Sequence, residues 1–187
     1  MIRYIWLFSL CFSSNSIDKW VDAHQDILSH NLKSASFQIE IDSKSLKNLS
    51  KTNLAKIIIA DKNKFRLELE NRTIVSNGEF WKIYDILTDQ IFLQEPDSDL
   101  ESALFSWINP KKLKAIPIKK INSKEFKIIL FNKNNNVRTF FNNQNNLEYI
   151  LVLNEDSQIK ISKIKLQKED ELNLNVGSIN SEIFDLR

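Results

Sequence analysis

Alternation of apolar and polar residues with a period of two is the feature that most constrains the fold of this chain. Residues 37–42 run Phe-Gln-Ile-Glu-Ile-Asp, and residues 65–70 repeat the pattern as Phe-Arg-Leu-Glu-Leu-Glu. This period places successive side chains on opposite faces of a β-strand, so each segment predicts a strand with one buried and one solvated face. Asn77-Gly78, which separates the apolar segments at 74–76 and 80–84, is the strongest short-range signal for a β-hairpin.

Other short apolar segments predict further strands. They lie at 54–60, 90–93, 126–131, 137–141, 147–153, 158–166 and 172–176. Two helices are predicted besides: an amphipathic helix over Ser16–Leu32, and a central helix that starts at Asp97-Ser98-Asp99 and ends before Pro110. The central helix carries an apolar stripe of Leu100, Leu104, Trp107 and Ile108. The sequence therefore predicts a mainly β (α+β) fold, a curled antiparallel sheet or incomplete β-barrel of about ten strands with the two helices as a lid.

The N-terminal residues have the order of a secretory signal peptide. Arg3 precedes an apolar run over Tyr4–Phe12, and small polar residues follow. The run has about half of the ~20 residues that a membrane-spanning helix needs, so cleavage is favoured over anchoring. Leu10 occupies the position where a lipoprotein signal normally has a small residue, and lipidation of Cys11 stays an open alternative.

Composition limits the domain count and the classes of function. The 187 residues suffice for one domain with a substantial core, and we predict a signal peptide over 1–16 and a single domain over 17–187. With 26 basic and 24 acidic residues the net charge is +2, which gives no electrostatic reason to expect a nucleic-acid partner. Two glycines cannot build a glycine-rich phosphate loop or a dinucleotide motif.

Residues suited to catalysis or metal binding are few. His24 and His30 are six residues apart and do not share a helix face as an i, i+4 metal pair would. His24 is interpreted as a packed helix residue. The acidic cluster of Asp97, Asp99 and Glu101 is interpreted as charge that favours a helix N-terminus. We therefore expect no enzymatic activity, no metal and no cofactor.

Aromatic residues supply the material for an apolar interior. The chain has 12 Phe and 4 Trp, many at alternating strand positions, and a filled core accounts for such residues without any ligand. A sheet of about ten strands with only two helices must nevertheless close, curl or stack, and a curled sheet beneath a helix leaves an apolar concavity that suits a ligand. The pattern alone does not decide between a ligand cavity and a filled core.

Residues 63–93 combine several motifs of one known family. A phenylalanine-bearing strand at Lys64–Leu69 is followed by the hairpin Ile74-Val75-Ser76-Asn77-Gly78, by the aromatic run Trp81–Asp85 and by Gln90 at the start of the next strand. In order and spacing this stretch resembles the LolA family of periplasmic lipoprotein carriers. The order of elements agrees with that family over 17–187, whereas the specific residues are confined to 63–93.

The resemblance implies an incomplete barrel in the periplasm, lidded by helices, whose apolar inner face receives the acyl chains of lipoproteins or related lipids. It also implies an inner-membrane release complex and an outer-membrane acceptor as partners of a monomeric carrier. Each buried methylene contributes about 0.8 kcal/mol, so a few partly buried chains could be carried through water. The candidate cavity residues are Trp20, Leu28, Phe37, Ile39, Ile57, Ile59, Phe65, Leu67, Ile74, Trp81, Ile83 and Trp107.

Two departures from the family pattern support a second hypothesis. In the family, the Trp lies two residues before the Tyr, and Lys82 occupies that position here. Trp81 is one residue earlier, so we expect its side chain on the opposite face of the strand. The family arginine that is associated with ligand release aligns with Asp61-Lys62. The second hypothesis is a sensor or regulatory module on the same fold that binds a protein partner and transports nothing. A third, a lipid-processing enzyme, would have only His24 and Asp97 as candidates.

Overall fold

The structure is a computed structural model, and it describes residues 16–43, 51–60, 63–96, 101, 105, 121–122, 127–130, 137–142, 144, 146–153 and 157–187. The predicted signal peptide, apart from Ser16, lies outside the described residues. So do Trp107, Asp97 and most of the predicted central helix, of which Glu101 and Phe105 are described and are helical.

The N-terminal helical region consists of two short helices, α1 (Ser16–Ala23) and α2 (Gln25–Leu28). The single helix predicted over Ser16–Leu32 is therefore wrong in its continuity and in its end. His24 interrupts it with φ −114° and ψ 12°, and its ring Nδ1–H donates to the Trp20 carbonyl at 2.9 Å. At the other end the Lys33 ammonium donates to the carbonyls of Leu28 and His30, which satisfies backbone acceptors after the last turn.

The described residues contain twelve strands in one sheet. They are β1 (Lys33–Ser43), β2 (Lys51–Ile59), β3 (Lys64–Glu68), β4 (Arg72–Asn77), β5 (Trp81–Asp85), β6 (Gln90–Gln94), β7 (Ile121–Asn122), β8 (Lys127–Leu130), β9 (Val137–Phe141), β10 (Leu147–Leu153), β11 (Ser157–Lys168) and β12 (Glu182–Asp185). The strand order is β12-β6-β5-β4-β3-β2-β1-β11-β10-β9-β8-β7, with β12 parallel to β6 and every other neighbour antiparallel. Because the order ends at β12 and β7, the sheet curls without closing. The predicted mainly β fold and incomplete barrel are confirmed.

The predicted hairpin joins β4 to β5. Gly78 has φ 96°, a conformation that a residue with a Cβ rarely adopts. The Asn77 side-chain oxygen accepts hydrogen bonds from the backbone N–H groups of Glu79 and Phe80, at 3.0 and 3.2 Å. This local chemistry sets the register in which Ser76 pairs with Trp81 and Ile74 with Ile83.

Residues 169–181, here called the C-terminal strap, cross the sheet without joining it. The strand predicted over 172–176 is wrong, because these residues have no regular secondary structure. The strap begins at Glu169, which accepts from Ser34 at 2.6 Å and from the Lys56 ammonium at 2.8 Å. It ends near Asp89, which accepts hydrogen bonds from two serines of the strap, and the chain then enters β12 beside β6.

The two faces of the sheet differ in what covers them. The face that carries Phe37, Phe65 and Trp81 packs under α1, α2 and Phe105 and holds the hydrophobic core; we call it the concave face. The other, called the convex face, carries Arg66, whose guanidinium donates to two strap carbonyls. Val75 and Ile91 are buried on this side as well. The apolar interior therefore lies between the concave face and the helices.

Candidate functional site

The concave face is built by one continuous row of apolar side chains that crosses six strands. Residues paired directly across antiparallel strands point to the same face. The register runs from Ala35 through Ile57, Leu67, Ile74 and Ile83 to Phe92. A second row beside it joins Ile59 to Phe65. The period-two pattern of the sequence thus becomes an apolar wall.

Trp81 is the largest side chain of this wall. It is 1% exposed, and its ring packs edge-to-face against Phe65 with centroids 5.6 Å apart. The indole N–H donates to a carboxylate oxygen of Glu101 at 3.2 Å. The side chain of the next residue, Lys82, lies on the convex face. Trp81 therefore lies on the opposite face from the position at which the family places its Trp, as the alternation predicts.

Two groups of helical side chains cover the wall. Trp20 of α1 is 5% exposed and packs edge-to-face on Phe141, while the His24 ring lies against it with centroids 4.9 Å apart. His24 is a packed helix residue, as the sequence predicts. Over the other half of the wall, Phe105 packs on Phe65 with ring centroids 5.0 Å apart. The helices thus occupy the space that an apolar ligand would also seek.

The structure brings together the predicted cavity residues that it describes. Nine are in the buried core cluster: Trp20, Leu28, Phe37, Ile57, Ile59, Phe65, Leu67, Ile74 and Trp81. Ile39 and Ile83 are half-buried and pack against it, and Trp107 lies outside the described residues. Their placement in one apolar cluster, formed by the wall and its helical cover, leaves ligand binding itself a prediction.

Sequence reasoning missed several members of the same cluster. Phe105 is absent from the predicted helix stripe, although it is aromatic and lies one turn after Glu101. On the later strands the cluster includes Phe141, Ile150 and Val152. The alternation in β10 could have identified Ile150 and Val152, whose neighbours at 149, 151 and 153 are less buried.

A groove of about 340 Å³ opens at the margin of the wall, between β2 and the end of β3. We call it the β2–β3 groove. Its lining residues are Ser36, Phe37, Leu54, Ala55, Lys56, Glu68, Leu69 and Glu70. Ligand pockets start at about 300 Å³, so the volume suits part of a small molecule.

Comparison with known proteins gives a fold but no family. No protein-family model and no curated protein matches the sequence. Among solved structures, an uncharacterized conserved protein from Thermus thermophilus has a TM-score of 0.50 at 11% identity, with 91% of this chain and 99% of that chain covered. At that identity the likeness shows a shared fold alone.

Two other solved structures are similar to the chain at lower TM-scores. One is a LolA superfamily protein from Nitrosomonas europaea, with TM-score 0.44, 6% identity and coverage of 85% of this chain and 96% of that one. The other is a putative outer membrane lipoprotein-sorting protein domain from Vibrio parahaemolyticus, with TM-score 0.35, 9% identity and coverage of 83% and 95%.

The titratable groups with perturbed pKa values lie away from the wall. Asp89 accepts hydrogen bonds from Ser181 at 2.6 Å, Tyr84 at 2.9 Å and Ser178 at 3.1 Å, and these bonds lower its pKa below the ordinary value. The hydrogen bond that the Tyr84 hydroxyl donates to Asp89 also raises the pKa of Tyr84. Glu169 has a lowered pKa because it accepts from Lys56 and Ser34. These groups attach the strap to the convex side of the sheet.

The described residues lack two further kinds of feature. They contain no group of three or more His, Cys, Asp or Glu side chains placed to hold a metal ion. They also contain no helix that is long and apolar enough to span a membrane.

Proposed function

We propose that this chain is an exported periplasmic carrier that holds the acyl chains of lipoproteins or related lipids against its concave face. The observation that carries the proposal is the uninterrupted apolar row from Ala35 to Phe92 beneath a helical cover. The resemblance of residues 63–93 to the LolA family gives the cargo class. The role needs no chemical step.

Burial provides both the affinity and the means of release. An acyl chain that replaces Trp20 or Phe105 on the wall gains about 0.8 kcal/mol per buried methylene. The displaced side chains lose contacts of the same kind, so the net affinity is the difference between two similar burial energies. Helix and cargo thus compete for one surface, and a small change in either shifts the balance. A carrier that must deliver its cargo needs this competition.

The partners proposed for such a carrier are acylated lipoproteins as cargo, an inner-membrane release complex as donor and an outer-membrane acceptor. These partners, and the monomeric state, follow from the family resemblance. The family arginine that is associated with ligand release is replaced by Asp61-Lys62 in this chain. We therefore expect the release step to differ most from that of the family.

A second candidate is a sensor or regulatory module that binds a protein partner. One observation favours it: Phe65 and Trp81 are each 1% exposed because the chain's own side chains cover them. A permanently filled interior makes a stable scaffold and leaves no room for cargo.

Mixing the purified protein with a lipid-modified protein distinguishes the two candidates. We expect a soluble complex that survives gel filtration. Ile83→Ser, on the concave wall, should weaken it, whereas Ile183→Ser, at a 62% exposed position on β12, should not. No acyl binding at micromolar protein, together with recovery of one specific protein partner without lipid, would leave the sensor as the better interpretation.

A further inference from the structure

The β2–β3 groove exists because two neighbouring strands have unequal lengths. The ladder between β2 and β3 ends at the pair Lys56–Glu68, and continued pairing would set Ala55 opposite Leu69 and then Leu54 opposite Glu70. Instead β3 ends and the chain turns back, with the Leu69 N–H bonded to the Arg72 carbonyl at 2.8 Å. Beyond this point β2 is paired only with β1, and a gap remains between β2 and the turn after β3.

The gap is lined by residues from both faces of the sheet. Phe37 and Ala55 are members of the core cluster, and Leu69 packs against it. The remaining lining residues come from the convex side, where Leu54 is 75% exposed. An apolar floor that is continuous with the interior therefore meets a polar rim in water.

The rim carries fixed charges of both signs. The Lys56 ammonium is held 2.8 Å from Glu169, and the Glu68 carboxylate is held 2.7 Å from Arg66. Glu70 adds an exposed carboxylate beside them. Cationic and anionic groups side by side are complementary to a headgroup that also has both charges, such as a phosphate joined to an amine.

We infer that the β2–β3 groove seats the polar head of a zwitterionic acyl amphiphile whose chain passes Ala55 and Leu69 into the interior. This inference rests on the proposed function, since it adds to the acyl-binding wall a headgroup site and a route between water and the wall. Lipid with a single anionic head fits the rim less well, because the acidic side chains repel it.

The test uses a lysophosphatidylcholine whose choline carries a nitroxide, which quenches a nearby fluorophore. Leu54→Cys places a fluorophore at the lip of the groove, and Lys64→Cys places the same fluorophore at the other, exposed end of β3. Both variants carry Cys11→Ser, so that the new thiol is the only one. Calorimetry measures binding independently of the fluorophore.

We expect the bound head to quench the Leu54→Cys label more strongly than the Lys64→Cys label, since contact quenching requires proximity. We also expect palmitate, which has an acyl chain and no cation, to bind about fivefold more weakly than palmitoyl lysophosphatidylcholine. Binding with equal quenching of the two labels overturns the groove and leaves the proposed function standing. Equal affinity for the two lipids overturns the zwitterionic headgroup. No binding of either lipid overturns the acyl carrier and the groove together.

Discussion

Trp81 shows how one residue connects the sheet to its cover. Its ring meets Phe65 within the wall, and its indole N–H reaches Glu101 of the overlying helical residues. A tryptophan is suited to this position because it combines a large apolar body with one donor that needs a partner when buried. The sequence predicts the buried ring, but the partner lies 20 residues away and no local pattern indicates it.

The hydrogen bond between Trp81 and Glu101 lets us predict the effect of two substitutions. Trp81→Phe keeps an aromatic ring but removes the indole N–H and some volume, so the free energy of unfolding should fall by about 1–3 kcal/mol. Glu101→Gln keeps an acceptor oxygen and should change it by less than about 0.5 kcal/mol. Urea unfolding followed by circular dichroism measures both. Equal effects of the two substitutions would contradict the assigned contact.

Asp89 gives a prediction about pH. Hydrogen bonds from Ser181, Tyr84 and Ser178 hold its pKa below the ordinary value of 3.8. A carboxyl group whose pKa is lower in the folded state contributes stability above its unfolded pKa and loses it as the pH falls through the folded value. The strap should therefore loosen in acid.

The wild-type protein should lose stability below about pH 4 faster than Asp89→Asn, because the amide does not titrate. Asn also tolerates the φ of 53° at this position. The measurement is the urea midpoint of both proteins at several pH values from about 6 down to about 2. Parallel curves would show that Asp89 does not contribute through its charge.

At the scale of elements, the strap explains where sequence prediction succeeds and fails. Period-two alternation reports an extended backbone with one buried side, and it correctly predicts β1 and β3. The Asn77-Gly78 hairpin signal between two apolar segments predicts β4 and β5. Leu172, Leu174 and Val176 alternate in the same way and are the less exposed residues of their segment. These side chains are partly buried because the strap lies across the convex face. Alternation cannot distinguish an extended segment that crosses a sheet from a strand that pairs within it. The parallel partnership of β12 with β6 is likewise non-local.

Arg66 should control the mobility of the strap. Its guanidinium donates to the carbonyls of Asn173 and Asn175 at 3.3 and 2.9 Å, so Arg66→Ala removes both attachments. The amide of Asn175, bonded to the Asn173 side chain, should then exchange with solvent faster. Arg72→Ala is the matched control, because it also breaks an ion pair with a carboxylate but touches no strap residue in the described contacts. Unchanged exchange in Arg66→Ala would contradict the attachment.

At the scale of the molecule, an open twelve-stranded sheet in the described residues must bury one face without closing. The alternation of apolar and polar residues predicts this class of fold. It also places Phe37, Leu67 and Ile83 on one wall, because each is an apolar residue of the buried face of its strand. It does not predict the β2–β3 groove. That feature depends on β3 ending at Glu68 while β2 continues, and strand ends are set by pairing across the sheet.

The most direct test of the central claim is to locate a bound acyl chain. A synthetic lipopeptide with a photoreactive diazirine in its acyl chain is irradiated with the protein, and the modified residues are identified by mass spectrometry. We expect modification of concave-wall residues such as Leu67 and Ile83, reduced by excess unlabelled lipopeptide. Modification confined to convex residues such as Val75 and Ile91, or none at saturating lipopeptide, would contradict an acyl-binding concave face.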